Sequence, residues 1–89
     1  MTKDKEEIDY DKIIDLYPED VNTYYDRGIA YKYKTGHDKA IHDFSKVVEL
    51  SPKNADAYRC REEAYNDGGD HDLAIQDFGK TIAPDTIDT

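Results

Sequence analysis

The sequence has no tryptophan, one cysteine, one methionine, two phenylalanines and three prolines. A lone cysteine, Cys60, cannot build the disulfide framework of a small secreted scaffold, so a reducing compartment is expected. No apolar run approaches the roughly 20 residues needed to cross a bilayer. The opening Met1-Thr2-Lys3-Asp4-Lys5-Glu6-Glu7 lacks the apolar segment of a signal peptide. Positive charge is scarce as well: 12 Lys and Arg face 21 Asp and Glu, for a net charge of −9 at pH 7. Binding to a phosphate backbone or to an anionic lipid surface requires clustered cations, so nucleic acid and membrane are excluded as partners. These absences describe a soluble, cytoplasmic chain whose acidity suits a basic or apolar partner.

What is present is order among few apolar residues. Charged residues make up 37% of the chain, a composition that raises the question of disorder. Spacing answers it. Tyr24-x2-Arg27-Gly28-x2-Tyr31, Ala40-x3-Phe44 and Pro52 form one large–small pattern, and a copy follows at an offset of about 34 residues. Tyr58, Arg61, Ala64, Tyr65, His71, Asp72, Ala74, Ile75, Asp77, Phe78 and Lys80 repeat Tyr24, Arg27, Ala30, Tyr31, His37, Asp38, Ala40, Ile41, Asp43, Phe44 and Lys46. A fixed period of this length signals a stacked helical array.

Five helices are expected. The first covers about 4–16, with Ile8, Ile13 and Leu16 at helical steps, and Tyr17-Pro18 ends it. The second runs from a cap at Asp20 or Asn22 to about Lys34, where Thr35-Gly36 breaks it. The third spans about Asp38–Leu50 and stops at Ser51-Pro52. Asn54 caps a fourth over about Ala55–Asp67, and Gly68-Gly69-Asp70 is a turn. The fifth runs from about His71 to Ile82 and stops at Pro84, leaving a frayed tail over 85–89. Short connections make consecutive helices antiparallel hairpins, with Ala40 and Ala74 at the close approaches and the aromatics filling the flanks. Each helix is too short to stand alone, so stacking holds it.

These residues resemble the tetratricopeptide repeat (TPR) family, whose pattern is Trp-x2-Leu-Gly-x2-Tyr, then Ala-x3-Phe, then Pro. Residues 21–54 match with Tyr24 for Trp, Arg27 for Leu, and Gly28, Tyr31, Ala40, Phe44 and Pro52 in place. Residues 55–84 keep Tyr58, Tyr65, Ala74 and Phe78 but carry Glu62 where Gly is usual, and Pro84 comes two residues early. Residues 1–20 look like the second half of a unit, with Tyr10 and Pro18 in the slots of Phe44 and Pro52. The resemblance implies an all-α fold, a right-handed α-α superhelix of about two and a half TPR-like repeats, in a single domain over 1–89. Glu6 stands in the slot of Ala40 and Ala74, so the first helix is expected to be a lone cap. No helix is seen to follow the fifth, so Ile75, Ile82 and Phe78 are expected to be partly exposed and the open end to be able to pair with another chain.

The resemblance also implies that the first helix of each unit lines a concave face. There the second helix carries Asn22, Tyr25, Ile29, Lys32 and Tyr33, and the fourth carries Asp56, Arg59, Glu63, Asn66 and Asp67. Tyr25, Ile29 and Tyr33 form an apolar stripe on a face that the core does not need, read as a binding surface unless the first helix covers it. Asn22, Tyr25, Ile29, Lys32, Tyr33, Arg59, Glu63 and Asn66 are the candidate partner-binding residues. The clamp for acidic peptide ends found in part of the family uses Lys, Asn and Arg here, whereas this chain has Tyr25, Ile29 and Glu63. A peptide with an apolar anchor and a basic residue fits better.

No catalytic, cofactor or metal site is expected. His37 and His71 sit one repeat apart, roughly 10 Å, too far to share a metal. Asn66-Asp67-Gly68-Gly69-Asp70-His71-Asp72 lacks the ligand spacing of a calcium loop. Cys60 has no basic triad and no resolving cysteine nearby, and reads as a small half-buried thiol rather than a nucleophile. The reading is a non-catalytic protein–protein interaction module, with self-association through the fifth helix as the alternative.

Overall fold

The computed structural model describes residues 9–87, with side chains described through Thr81. Within them the chain forms α1 (Tyr10–Leu16), α2 (Val21–Tyr33), α3 (His37–Leu50), α4 (Ala55–Asp67) and α5 (His71–Ile87). Neighbours along the chain pack side by side, α2 with α3, α3 with α4 and α4 with α5, while α1 leans on α2.

The ends of these helices follow from local chemistry. α1 begins at Tyr10 rather than running unbroken from residue 4, because Asp9 leaves the helical region (φ −88°, ψ 85°) and its carboxylate accepts from the Lys12 N–H at 3.1 Å. The expectations placed on residues 4–8, Glu6 and Ile8 among them, lie outside the described residues. Asp20, not Asn22, stands at the cap of α2, where it receives the Thr23 hydroxyl at 2.8 Å. Asn54 caps α4, its side-chain oxygen accepting from the Ala57 N–H at 3.1 Å.

Both hairpin turns use one device. The Gly36 N–H donates back to the Tyr31 carbonyl at 2.8 Å, and the Asp70 N–H does the same to Tyr65 at 2.8 Å. Such a closure puts the preceding residue in the left-handed region, where glycine is favoured. Gly69 obeys (φ 92°), but in the first unit the residue is Thr35 (φ 60°), a β-branched side chain in a conformation it resists. The other departure is at the end of α5, which passes through Pro84 to Ile87 instead of stopping at Ile82. A proline removes one rung and crowds one carbonyl, which bends a helix but ends it only if the residues beyond fail to bond.

Two apolar clusters hold the hairpins together. One gathers Tyr24, Val47 and Ala57, with Ile14 of α1 against it; the other gathers Ala40, Phe44 and Ala64. The hydroxyl of buried Tyr24 donates to the Pro18 carbonyl at 2.9 Å, so no polar atom is stranded there. Gly28 explains why α2 and α3 come so close: a Cβ there would lie 2.7 Å from the Phe44 ring. In the second unit the same slot holds Glu62. Phe44 is fully buried and Phe78 is 50% exposed.

Charge also enters the interior. The Arg27 guanidinium forks onto both oxygens of buried Asp43, each at 2.9 Å, and lies about 6 Å from the ring centres of Tyr24 and Tyr31. Arg61 repeats the arrangement on Asp77 at 2.8 Å, between Tyr58 and Tyr65. The remaining arm of each arginine reaches the preceding unit, Arg27 to Asp11 at 2.6 Å and Arg61 to Ser45 at 2.9 Å. Hydrogen bonding to Asp43 and Asp77 pushes both guanidinium pKa values up, so both stay charged. Each arginine therefore ties three helices: its own, its hairpin partner and the second helix of the unit before.

Candidate protein-binding surface

The face away from the arginine clamps is built by α2 and α4, which meet along two contacts. The Tyr25 hydroxyl lies 3.5 Å from the Cys60 sulfur, and Lys32 Nζ pairs with Glu63 at 2.9 Å. Because the first helices of successive units touch here, they form one continuous surface.

The candidate residues fall into two groups on it. Asn22, Tyr33, Arg59, Glu63 and Asn66 are exposed, and Tyr33 is 80% open to solvent. Tyr25, Ile29 and Lys32 are half-buried. Tyr25 and Ile29 pack against the cluster of Ala40, Phe44 and Ala64, with the Tyr25 ring edge-on to Phe44 at 5.9 Å. The core does use these two residues, which corrects the expectation of an apolar stripe independent of it. Position on the helix identified the face, but not how far α4 would lean over it. Tyr33, one turn beyond Ile29, escapes that cover. In α1 the described contacts run to Arg27 and to the Tyr24 cluster, away from Tyr33.

The electrostatics of the face are lopsided. Its cations are engaged: Lys32 with Glu63, and Arg59 with Asp56 at 3.4 Å on its own helix. Hydrogen bonding to Glu63 raises the Lys32 pKa, so the lysine stays charged. Asp26, Asn22 and Asp67 remain exposed around Tyr33 and Ile29. The Tyr25 phenol is pushed up to about 12, first by its hydrogen bond with Cys60 and then by burial. Asn66 turns to the hairpin end, its oxygen 2.9 Å from His71 Nδ1, and this takes it out of the line of the others.

Among the described residues no three His, Cys, Asp or Glu side chains converge as metal ligands. No described helix is long and apolar enough to cross a membrane. The reading of the sequence missed the paired arginine clamps. Their signal was present, since Arg27 with Asp43 and Arg61 with Asp77 recur at one spacing, in a slot where the resemblance called for leucine.

No family model matches the chain, and no curated protein matches it. Solved structures do. A crystal structure of MamA protein superposes with a TM-score of 0.80 at 30% identity, over 83% of this chain and 40% of that one. A second crystal structure of MamA gives 0.82 at 28% identity, over 89% and 46%. This chain therefore spans less than half the length of either. The fold is an all-α superhelical stack of TPR-type hairpins.

Proposed function

We propose that the chain is a non-catalytic interaction module that holds an extended or helical segment of another protein along the α2–α4 face. The observation that carries this reading is Tyr33. A tyrosine 80% exposed beside half-buried Ile29 and Tyr25 touches the fold mainly through Lys32 Nζ, 5.8 Å from its ring centre, and such rings anchor protein contacts well. The ligand is a basic segment with an apolar anchor. Lys32 and Arg59 are already paired with Glu63 and Asp56, whereas exposed Asp26 and Asp67 border the face as further negative charge. Similarity to MamA supports a role in protein contacts in general. The single-domain organisation, with units over 21–54 and 55–84, belongs to the same reading.

The test compares partner capture, read by mass spectrometry, for the wild-type chain and for Tyr33→Ala and Asp26→Lys. Both positions are exposed, so the fold should survive, as helical circular dichroism can verify. The partner should be lost from both variants. Retention of one stoichiometric partner by both would remove the α2–α4 face from consideration.

A further inference from the structure

We propose that the outward face of α5 is a second docking site, and that its occupant is a basic amphipathic helix of another protein. Glu62, Asn66, His71, Ala74, Ile75 and Phe78 line a hollow of about 400 Å³ there. Each is the image, one repeat on, of Gly28, Lys32, His37, Ala40, Ile41 or Phe44. In the first unit that surface is taken by α4, which lays Ala64 and Cys60 over Ala40, Ile41 and Phe44 and brings Gly68 against His37. In the second unit the same surface is open: Ile75 is 67% and Phe78 50% exposed. The molecule itself thus displays what fits this surface, namely a helix presenting small residues at the spacing of Ala57, Cys60 and Ala64.

Two features define that helix further. Arg61 of α4 reaches Ser45, but the image of Ser45 on α5 is Gly79, and among the described residues no side chain stands within 4 Å of a would-be Cβ there. An arginine in the Arg61 position would find no acceptor there, whereas a leucine would fill the notch. Glu62 lines the hollow, exposed Asp72 stands three residues before Ile75 on the same helix, and the chain carries a net charge of −9, so the flanks of the helix must be basic. A second copy of this chain fits poorly. Its equivalent helix, α2, offers Asp26 where α4 offers Cys60, setting a carboxylate against Ile75 and Phe78, and two strongly acidic chains repel each other.

The test uses a labelled helical peptide of about 16 residues, long enough to hold helix. It carries Ala, Leu and Ala at the Ala57, Cys60 and Ala64 spacing, leucine at the Arg61 position and lysines outward. Fluorescence anisotropy against the whole chain should show saturable binding that weakens as salt rises. Ile75→Glu, and the milder Ile75→Ser, should weaken it by about tenfold or more, an anchor-sized effect, while Tyr33→Ala leaves it unchanged. Several results would overturn the proposal: no binding, equal binding when the lysines become glutamates, or loss with Tyr33→Ala but not with the Ile75 variants. Sedimentation showing a dimer that Ile75→Glu dissolves would assign the face to a second copy and overturn it equally.

Discussion

Asp43→Asn isolates one of the two buried arginine–aspartate clamps. The Asp43 side chain is 1% exposed and that of Arg27 19%, so the pair sits in the interior with one edge near solvent. Asparagine keeps the shape, but it removes the charge and turns one acceptor into a donor facing the guanidinium. Breaking such a pair from one side costs about 3–5 kcal/mol. The lower figure applies because Arg27 keeps Asp11, a carboxylate 78% exposed and so of little strength. A chain this short is stable by roughly 4–13 kcal/mol, so a loss of about 3 kcal/mol lowers Tm by about 12–24 °C. Thermal and urea unfolding followed by circular dichroism would read both, with the urea slope unchanged. The double change Arg27→Met with Asp43→Leu, which removes both charges, should return stability to within about 1 kcal/mol of the parent. A loss below about 1 kcal/mol for Asp43→Asn would refute the claim that this pair is a buried, mutually dependent unit. Asp77→Asn should cost at least as much, because the other partner of Arg61 is the neutral Ser45.

Thr35→Gly should stabilise the fold by about 1 kcal/mol by relieving the left-handed threonine, and Gly69→Thr should cost a similar amount; urea unfolding checks both. Gly28→Ala should destabilise by about 1–2 kcal/mol, since the new Cβ overlaps the immovable Phe44 ring and outweighs the gain in helix propensity. Glu62→Ala, in the same slot of the next unit, should change Tm little. Tyr25 should ionise near pH 12 in the phenolate absorbance difference between the parent and Tyr25→Phe. Because its folded pKa is raised, its contribution to stability is whole below pH 10 and lost as pH climbs through about 12. Cys60→Ala should bring that titration back down, and a Tyr25 that ionises near pH 10 in the parent would count against the hydrogen bond.

Much of the fold was legible in the sequence because helix ends are written in local chemistry. Asn54, the Gly68-Gly69 pair and Tyr17-Pro18 act within a few residues of themselves, and α4 spans Ala55–Asp67 as read. Asp9 was harder, since an aspartate amid helical spacing looks like one more solvated residue until its side chain is seen on the Lys12 N–H. Thr35 was illegible for a different reason. Its conformation is imposed by the closure around it, against its own preference. On the candidate surface, periodicity sorted residues by direction but not by depth. Tyr25 and Tyr33 stand on neighbouring sides of α2, and α4 covers the first through Cys60 and Ala64 and leaves the other bare. The arginine clamps depend on three helices at once, and no single window of sequence contains them.

The difference between Gly28 and Glu62 means that the two units are not interchangeable parts. A tandem duplication of residues 21–54 would bring along its own socket for the ring and lengthen the stack. The same event at 55–84 would insert a piece that carries a glutamate side chain where that socket lies. Copies of the two units would therefore not pack alike.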